Sequence, residues 1–334
     1  MEFKLHTTFP ATLEEDWNAL LTESITHVPF LRYEYLHNWW QTRGGGEWDE
    51  SAELAIIITH EGERLVGIAP LFHTEFNGAN ALLFLGSIEI SDYLDFIVRE
   101  ADLPAFTSGL LSFLASDYTR LELFNLLEGS PSIKQLQDAA TAAGWQYTIE
   151  NTNHAPIISL PGNWEEYLAN LDKKQRHEIR RKMRRLEGAE VPTHWYIVSD
   201  AETLDDEIDH FLGLMAQDRE KEAFLTEEMV TAIAGTIQQA FANGYLQLAF
   251  LEIDGQKAAA YLSFDYDNQL WIYNSGLDRQ FMSYSPGWVL LGYLLRWANE
   301  KGKAKFDFMR GDEDYKYKFG AADRFVQHVT LSRL

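Results

Sequence analysis

The sequence contains no cysteine, which removes disulfides, thiolate metal sites and cysteine nucleophiles at once. No stretch approaches about 18 uninterrupted apolar residues, so no membrane-inserted helix is expected. Met1 to Pro10 lacks a basic end leading into a long apolar core and does not read as a secretory leader. The ten histidines fall in no HExxH or comparable spacing, and no metal is expected. P-loop, dinucleotide and GxSxG patterns are absent as well. Basic residues are scarce, 28 against 51 acids, for a net charge of −23; such a surface disfavours general nucleic-acid binding. These absences point to a cytoplasmic location.

What is present suits a folded protein of two parts. The chain has 334 residues, room for two domains of about 150 each. Hydrophobic residues make up 46% and charged residues 24%, enough to build sizeable cores. Ten Trp, fifteen Tyr and twenty Phe make aromatic-lined clefts plausible.

Patterning gives each half a similar order. In the first, a strand at 3–9 and helices at 13–22 and 32–43 lead to apolar strands at 54–59 and 65–72 around a Glu61-Gly62-Glu63 turn. Strands at 81–85 and 93–98, a helix at 104–114, a strand at 121–126 and a helix at 132–143 follow. In the second, helices at 164–171, 175–187, 205–220 and 227–243 surround a strand at 194–198. Strands at 246–253, 257–265 and 269–275 come next, joined by Asp254-Gly255 and Asp267-Asn268. An apolar helix at 287–300 and strands at 305–309 and 327–331 end the chain. The fold class expected is α/β in the α+β sense, a mixed sheet covered by helices and present in two copies. The domains are set at 1–161 and 162–334, with the break near Pro161 to Asn163.

Ser283 to Trp288 carries the most chemistry. Ser285 can cap the helix that follows, Pro286 suits its first turn, and Gly287 admits close approach to the backbone. No acid lies between Arg279 and Arg296. The amides of residues 285–288, Trp288 included, are expected to receive an anion such as a diphosphate, helped by the helix dipole. The matching helix of the first half opens Glu100-Ala101-Asp102-Leu103-Pro104, where two acids repel a phosphate. The first half therefore reads as a degenerate copy serving scaffold and acceptor binding. Lys173 to Arg185 is the other electrostatic feature: eight basic residues against one acid, Glu178. Ile179, Met183 and Leu186 form its apolar stripe and Lys173, Arg176, Arg180 and Arg184 a neighbouring face. That face is either solvated or fitted to phosphates of CoA, tRNA or an anionic sugar polymer.

The order strand, turn, strand, turn, strand, then a Gly-containing loop opening a helix, resembles the GNAT acyltransferase core. More closely, the chain resembles acetyltransferase-like proteins of the CelD type, associated with cellulose and exopolysaccharide biosynthesis, relatives of the Fem aminoacyltransferases. Four stretches carry this: Ser91-Asp92-Tyr93-Leu94-Asp95; the basic helix around Arg176, Arg180 and Arg181; Phe306-Asp307-Phe308 leading to Arg310-Gly311; and Tyr315-Lys316-Tyr317-Lys318-Phe319-Gly320. The resemblance spans nearly the whole chain. It implies a tandem GNAT-like fold and transfer of an acyl group, in first place acetyl, from acyl-CoA to an amine of a small molecule or amino sugar. It also implies that the donor's arm pairs with the splayed strand at Trp271 to Ser275, near Tyr273 and Asn274. Tyr93, Asp95, Arg176, Arg180, Arg310 and Lys316 become the substrate-binding candidates on these stretches.

Amide formation from a thioester needs a base for the amine, an oxyanion donor and an acid for the leaving thiolate. Asp92 and Asp307 are the candidate bases and Tyr315 the candidate acid; the alternative for each is a turn former or structural hydrogen-bond partner. Tyr315 to Gly320 reads either as a loop over the site, with Lys316 holding an anion, or as a surface turn with snorkelling lysines. Two other functions stay open: a Fem-type transferase using aminoacyl-tRNA, and a non-catalytic GNAT-like binding protein in polysaccharide production.

Overall fold

Asp254, Gly255, Asp267 and Asn268 take positive φ of 53°, 71°, 50° and 54°, the twist that two-residue hairpins require. They join the antiparallel strands Leu246–Ile253, Gln256–Tyr266 and Gln269–Leu277, as the turn chemistry of the sequence predicts. The structure is a computed structural model that describes residues 1–48 and 50–333. It divides into two units, Met1–His154 with the C-terminal strand from Phe325 on, and Ala155–Arg324.

The second unit is one six-stranded sheet. Its order is Ile157–Ser159, Lys305–Asp307, Gln269–Leu277, Gln256–Tyr266, Leu246–Ile253, Thr193–Ile197. Helix Pro286–Glu300 lays Val289, Leu290, Leu291, Leu294, Leu295 and Ala298 on Ala249, Leu251, Tyr261 and Ile272 of one face. Each fully buried aliphatic side chain contributes roughly 1.5–3 kcal/mol. The basic helix Lys173–Glu187 buries the Ile179, Met183, Leu186 stripe in the same core. Helix Leu204–Met215 packs on the same strands but shares none of that core, so it covers the opposite face. It sits directly on the strand: a Cβ at Gly276 would lie 2.6 Å from the backbone of Leu214 and Met215.

The first unit holds two sheets. One runs Glu2–His6, Ile56–Glu61, Arg64–Ala69, Ile97–Val98; the other runs Glu53–Leu54, Leu71–Phe76, Ala79–Phe84, Arg120–Leu127, Phe325–Ser332, Gln146–His154. The chain changes sheet at Pro70, a residue with no N–H to give to a ladder. Strand, helix and parallel strand recur in both units: Ala79–Phe84, Leu103–Leu114 and Arg120–Leu127 in the first, Gln269–Leu277, Pro286–Glu300 and Lys305–Asp307 in the second.

Several elements differ from expectation. The helix expected at 205–220 stops at Met215, and Asp218 starts a second one, Arg219–Phe224, by accepting from the N–H groups of Glu220 and Lys221. The strand expected at 93–98 forms a ladder only at Ile97–Val98, and the one expected at 305–309 ends at Asp307, because Met309 turns to φ 59°. Tyr315 to Gly320 is not a loop: Asp314–Lys318 is helical and its Lys316 is buried. Compactness places the break at 154/155, where the sequence reading put it near 161. Ile157–Ser159 is held in the second unit by pairing with Lys305–Asp307, and Phe325–Ser332 pairs with two strands of the first.

That terminal strand is tied by a buried polar cluster. Glu122, fully buried, accepts from His328 Nε2 at 2.6 Å, from Thr330 Oγ1 at 2.8 Å and from Arg120. Burial pushes its carboxyl up, but the bonds from His328, Thr330 and Arg120 outweigh burial and hold it below the ordinary 4.5. A depressed carboxylate lends stability above its unfolded pKa and loses it as pH falls through the folded value. Glu122→Gln is therefore expected to lower urea stability at pH 7, and the gap from the parent should shrink steadily below about pH 4. A gap constant with pH would refute the linkage.

Candidate functional site

The sheet of the second unit opens at one place. Gln269–Leu277 pairs in parallel with Lys305–Asp307 only from Gln269 to Trp271, then runs on without that neighbour. Its pairing on the other side shifts register, Leu262 opposing Asn274 and Ser263 opposing Ile272. Tyr273 is thus the extra residue of a β-bulge, a device that re-aims the backbone. Met309 at φ 59° and Gly311 at φ 115° carry the other wall away. The splay expected beside Tyr273 and Asn274 is present.

Register also says which groups face the opening. Asp278 N–H donates to Ala258 O, so alternation turns Gly276 toward the neighbouring strand and Ser275 toward the splay. Both polar groups of Ser275 are taken there by side chains. Its N–H donates to Asn274 Oδ1 at 2.8 Å, and its carbonyl accepts from Lys221 Nζ at 2.5 Å. Lys221 also donates to Asn274 Oδ1 at 2.9 Å, and burial lowers its pKa.

Four ionisable groups gather at this opening. The Glu313 charge acts on Lys221, Tyr261 and Tyr315 alike, and Tyr315 acts on Tyr261. Burial, reinforced by these neighbours, pushes both tyrosine hydroxyls well above 10, so they stay protonated and able to donate a hydrogen bond. Lys316 fixes the wall that carries Glu313 and Tyr315. Its Nζ donates to Arg310 O at 2.7 Å and Gly311 O at 3.2 Å and pairs with Glu313 at 2.8 Å. It therefore shapes the loop, and its ammonium is committed to these oxygens. Arg310 enters through its carbonyl. Asp307 is fully buried, ion-paired with Arg324, and accepts from Met309 N–H at 2.8 Å. That is the position of a structural tie.

At the helix start, Ser285 takes φ 56° and no side chain caps the helix; the expected serine cap does not form, because a left-handed residue aims its hydroxyl elsewhere. Pro286 holds the first turn, as expected, and is buried with Gly287. The room expected at Gly287 is taken by Leu277, 2.7 Å from where a Cβ would lie. Trp288 packs tilted against Phe319, ring centroids 4.6 Å apart, and carries Lys182 Nζ 3.8 Å over its ring. A cleft of about 740 Å³ opens beside it, lined by Lys173, Lys174, His177, Lys182, Trp288 and Lys318, with Glu178 as its acid.

The arginines proposed for substrate have work within the unit. Arg176 donates to Leu168 O at 3.4 Å and Ala169 O at 3.1 Å, capping helix Trp164–Asn170, and Arg180 pairs with Glu165. The remaining candidates lie in the first unit. Asp92 is nearly buried and Tyr93 fully so, its ring edge-on to Phe30 at 6.2 Å. Asp95 is sealed. It accepts from Thr26 Oγ1 at 2.6 Å, Ser130 Oγ at 2.5 Å and its neighbour's Phe96 N–H at 2.8 Å, and burial outweighs these bonds to raise its pKa. With its oxygens occupied in the interior, Asp95 holds loops together instead of facing a ligand. Sequence reasoning missed Lys221, Tyr261 and Glu313. Lys221 stood in a charged run that reads as solvent-facing, and Tyr261 in a strand that reads as core. Among the described residues no group of three metal-ligating side chains comes together, and no helix is long and apolar enough to cross a membrane.

Residues 173–317 match the acetyltransferase (GNAT) domain family. Among solved structures the fold is similar to that of FemX, with a TM-score of 0.68 at 11% identity over 98% of this chain and 97% of that one. It is similar to a conserved protein of unknown function from Bacteroides thetaiotaomicron VPI-5482 (0.63, 11%, 99% and 100%). It is also similar to the C-terminal domain (DUF2156) assigned to a lysylphosphatidylglycerol synthetase from Agrobacterium fabrum (0.58, 9%, 97% and 92%). Among curated proteins none matches the chain. Residues 173–317 thus have a GNAT-type fold, within a mixed α/β architecture whose two units each contain a strand, helix and parallel strand.

Proposed function

We propose that the chain is an N-acyltransferase that moves an acyl group, in first place acetyl, from acyl-CoA to an amine of a small molecule or amino sugar. The observation that carries this is the splay: a strand that outruns its parallel neighbour after Trp271 and bulges at Tyr273. A thioester placed there meets the groups the reaction needs. The amine nitrogen attacks the carbonyl carbon, the backbone near Tyr273 and Asn274 stabilises the oxyanion, and the C–S bond breaks as Tyr315 gives its proton to the thiolate. Glu313, half-exposed and close enough to act on both tyrosines, joins Asp92 and Asp307 as a candidate to take the amine's proton. The donor's phosphates have the uncapped helix start at Gly287 and Trp288 and the lysine-lined cleft beside it. An arm running from there to the bulge takes the Ser275 carbonyl over from Lys221.

A second donor is favoured by one observation. The cleft's lysines and Trp288 suit any nucleotide-bearing donor, and the fold likeness to FemX makes a Fem-like aminoacyl-tRNA the alternative. Thermal denaturation separates them. Acetyl-CoA at about 100 Kd is expected to stabilise the protein by about 2.7 kcal/mol, and Gly287→Glu and Lys182→Glu should each remove most of the shift. Absence of any shift, with charged-tRNA binding that vanishes as salt rises, would transfer the proposal to the second donor. No response to either would leave a GNAT-like binding protein without chemistry.

A further inference from the structure

A second cavity, of about 420 Å³, lies on the face covered by helix Leu204–Met215. Its walls are Leu214, Met215, Leu277 and Met282, and its charged groups are Asp218, Lys221 and Arg279. Among the residues that line it, cations outnumber acids. Asp218 is a single acid against two cations, and one of its oxygens is already bound to the N–H groups of Glu220 and Lys221. Neither Lys221 nor Arg279 makes an ion pair among the described residues. Lys221 is half-buried and rests on neutral oxygens alone: Asn274 Oδ1, Ser275 O and, at a long 3.4 Å, Ser275 Oγ. Asp218 and Glu313 favour the Lys221 charge from a distance, but neither bonds to its ammonium; burying a cation without a directly bonded counter-ion is costly, and a ligand anion in contact with it relieves that cost. The 3.4 Å contact leaves one ammonium N–H to spare, and Arg279, exposed at the rim, offers a fork that matches a carboxylate in two-pronged fashion.

We propose that this cavity is the acceptor pocket, and that it takes an amine carrying a carboxylate on an apolar body, an amino-acid-like acceptor. The carboxylate meets Lys221 and Arg279, the apolar part meets Leu214, Met215, Leu277 and Met282, and the amine lies toward Ser275 and the splay. This rests on the transferase reading for its geometry and names that reading's substrate class. The cavity volume is within the usual range of small-molecule sites, roughly 300–1,000 Å³. A donor arm that displaces Lys221 from Ser275 frees more of the ammonium for the carboxylate.

The test is calorimetric titration of the full chain with L-leucine and, separately, with L-leucinamide, which keeps the amine and side chain but loses the carboxylate. Leucine is expected to bind at least tenfold more tightly. Lys221→Met and Arg279→Gln should each erase most of the difference while leaving leucinamide unchanged. Arg279 is exposed, so its variant stays informative even if Lys221→Met fails to fold. Equal binding of the two probes, or binding of neither, overturns the proposal. Titration with acetyl-CoA on the same samples tells the two readings apart. Leucine discrimination without CoA binding sinks the donor assignment alone, and CoA binding without leucine binding sinks this one alone.

Discussion

Asp307→Ala is expected to cost about 3–5 kcal/mol of folding stability, the usual penalty for leaving one partner of a buried ion pair alone. Asp307 has no exposed surface, and its two oxygens hold Arg324 and the Met309 N–H. Arg324 in turn donates to Ala155 O at 3.1 Å, so one carboxylate ties the start of the second unit to its end and to the wall of the splay. For a domain of this size each kcal/mol moves the melting temperature by roughly 2–4 °C, so a fall of about 10 °C is the expected reading. Asp307→Asn keeps an acceptor for Met309 but leaves the guanidinium without its charge, and should fall in the same direction. The competing role, general base, predicts the reverse pattern: a melting temperature within a degree or two of the parent with activity lost on the acid side of the pH profile. Measuring both quantities on one variant decides between them.

The sequence makes some of this legible because its signals are local. Asp-Gly and Asp-Asn between apolar runs set the two hairpins, and the apolar run 289–297 sets the helix on which the core is built. The three-residue stripe of the basic helix is legible for the same reason. What escapes depends on partners far along the chain. Phe325–Ser332 looks like a strand from its own residues, but nothing in them says that it pairs with 120–127 and 146–154 in place of the sheet just before it. Lys316 and Lys318 sit two apart in one aromatic–basic stretch; one is buried against carbonyls of 310 and 311 and the other pairs with Asp314. Only the turn at Met309 and Gly311 makes that difference. Lys221 is hidden in the same way. Its charge reads as solvation until Asp218 breaks the long helix and swings the residue onto Ser275. The serine cap at 285 is the opposite case, a local signal overruled when tertiary packing places the residue at positive φ.

Tyr315→Phe is the substitution expected to cost most in rate: a fall in kcat of about 10²–10⁴, the range for loss of a positioned acid, with the KM for donor nearly constant. The hydroxyl is the only thing removed, and the ring's edge contact with Phe308 at 6.0 Å remains, so stability should change by less than about 1 kcal/mol. Burial, with Glu313 adding to it, pushes this hydroxyl above the ordinary 10. Tyr315 therefore holds its proton across the working range, and kcat should show no alkaline fall from tyrosine ionisation below pH 10. Tyr261 supplies the internal control. It lies beside Tyr315 and burial pushes its hydroxyl up as well, but it belongs to the packed core, so Tyr261→Phe should leave kcat within a few-fold. The outcomes are distinct: loss in Tyr261→Phe alone would move the acid to that residue. Loss in neither would mean that the thiolate takes its proton from water, and that the two hydroxyls serve only to exclude it.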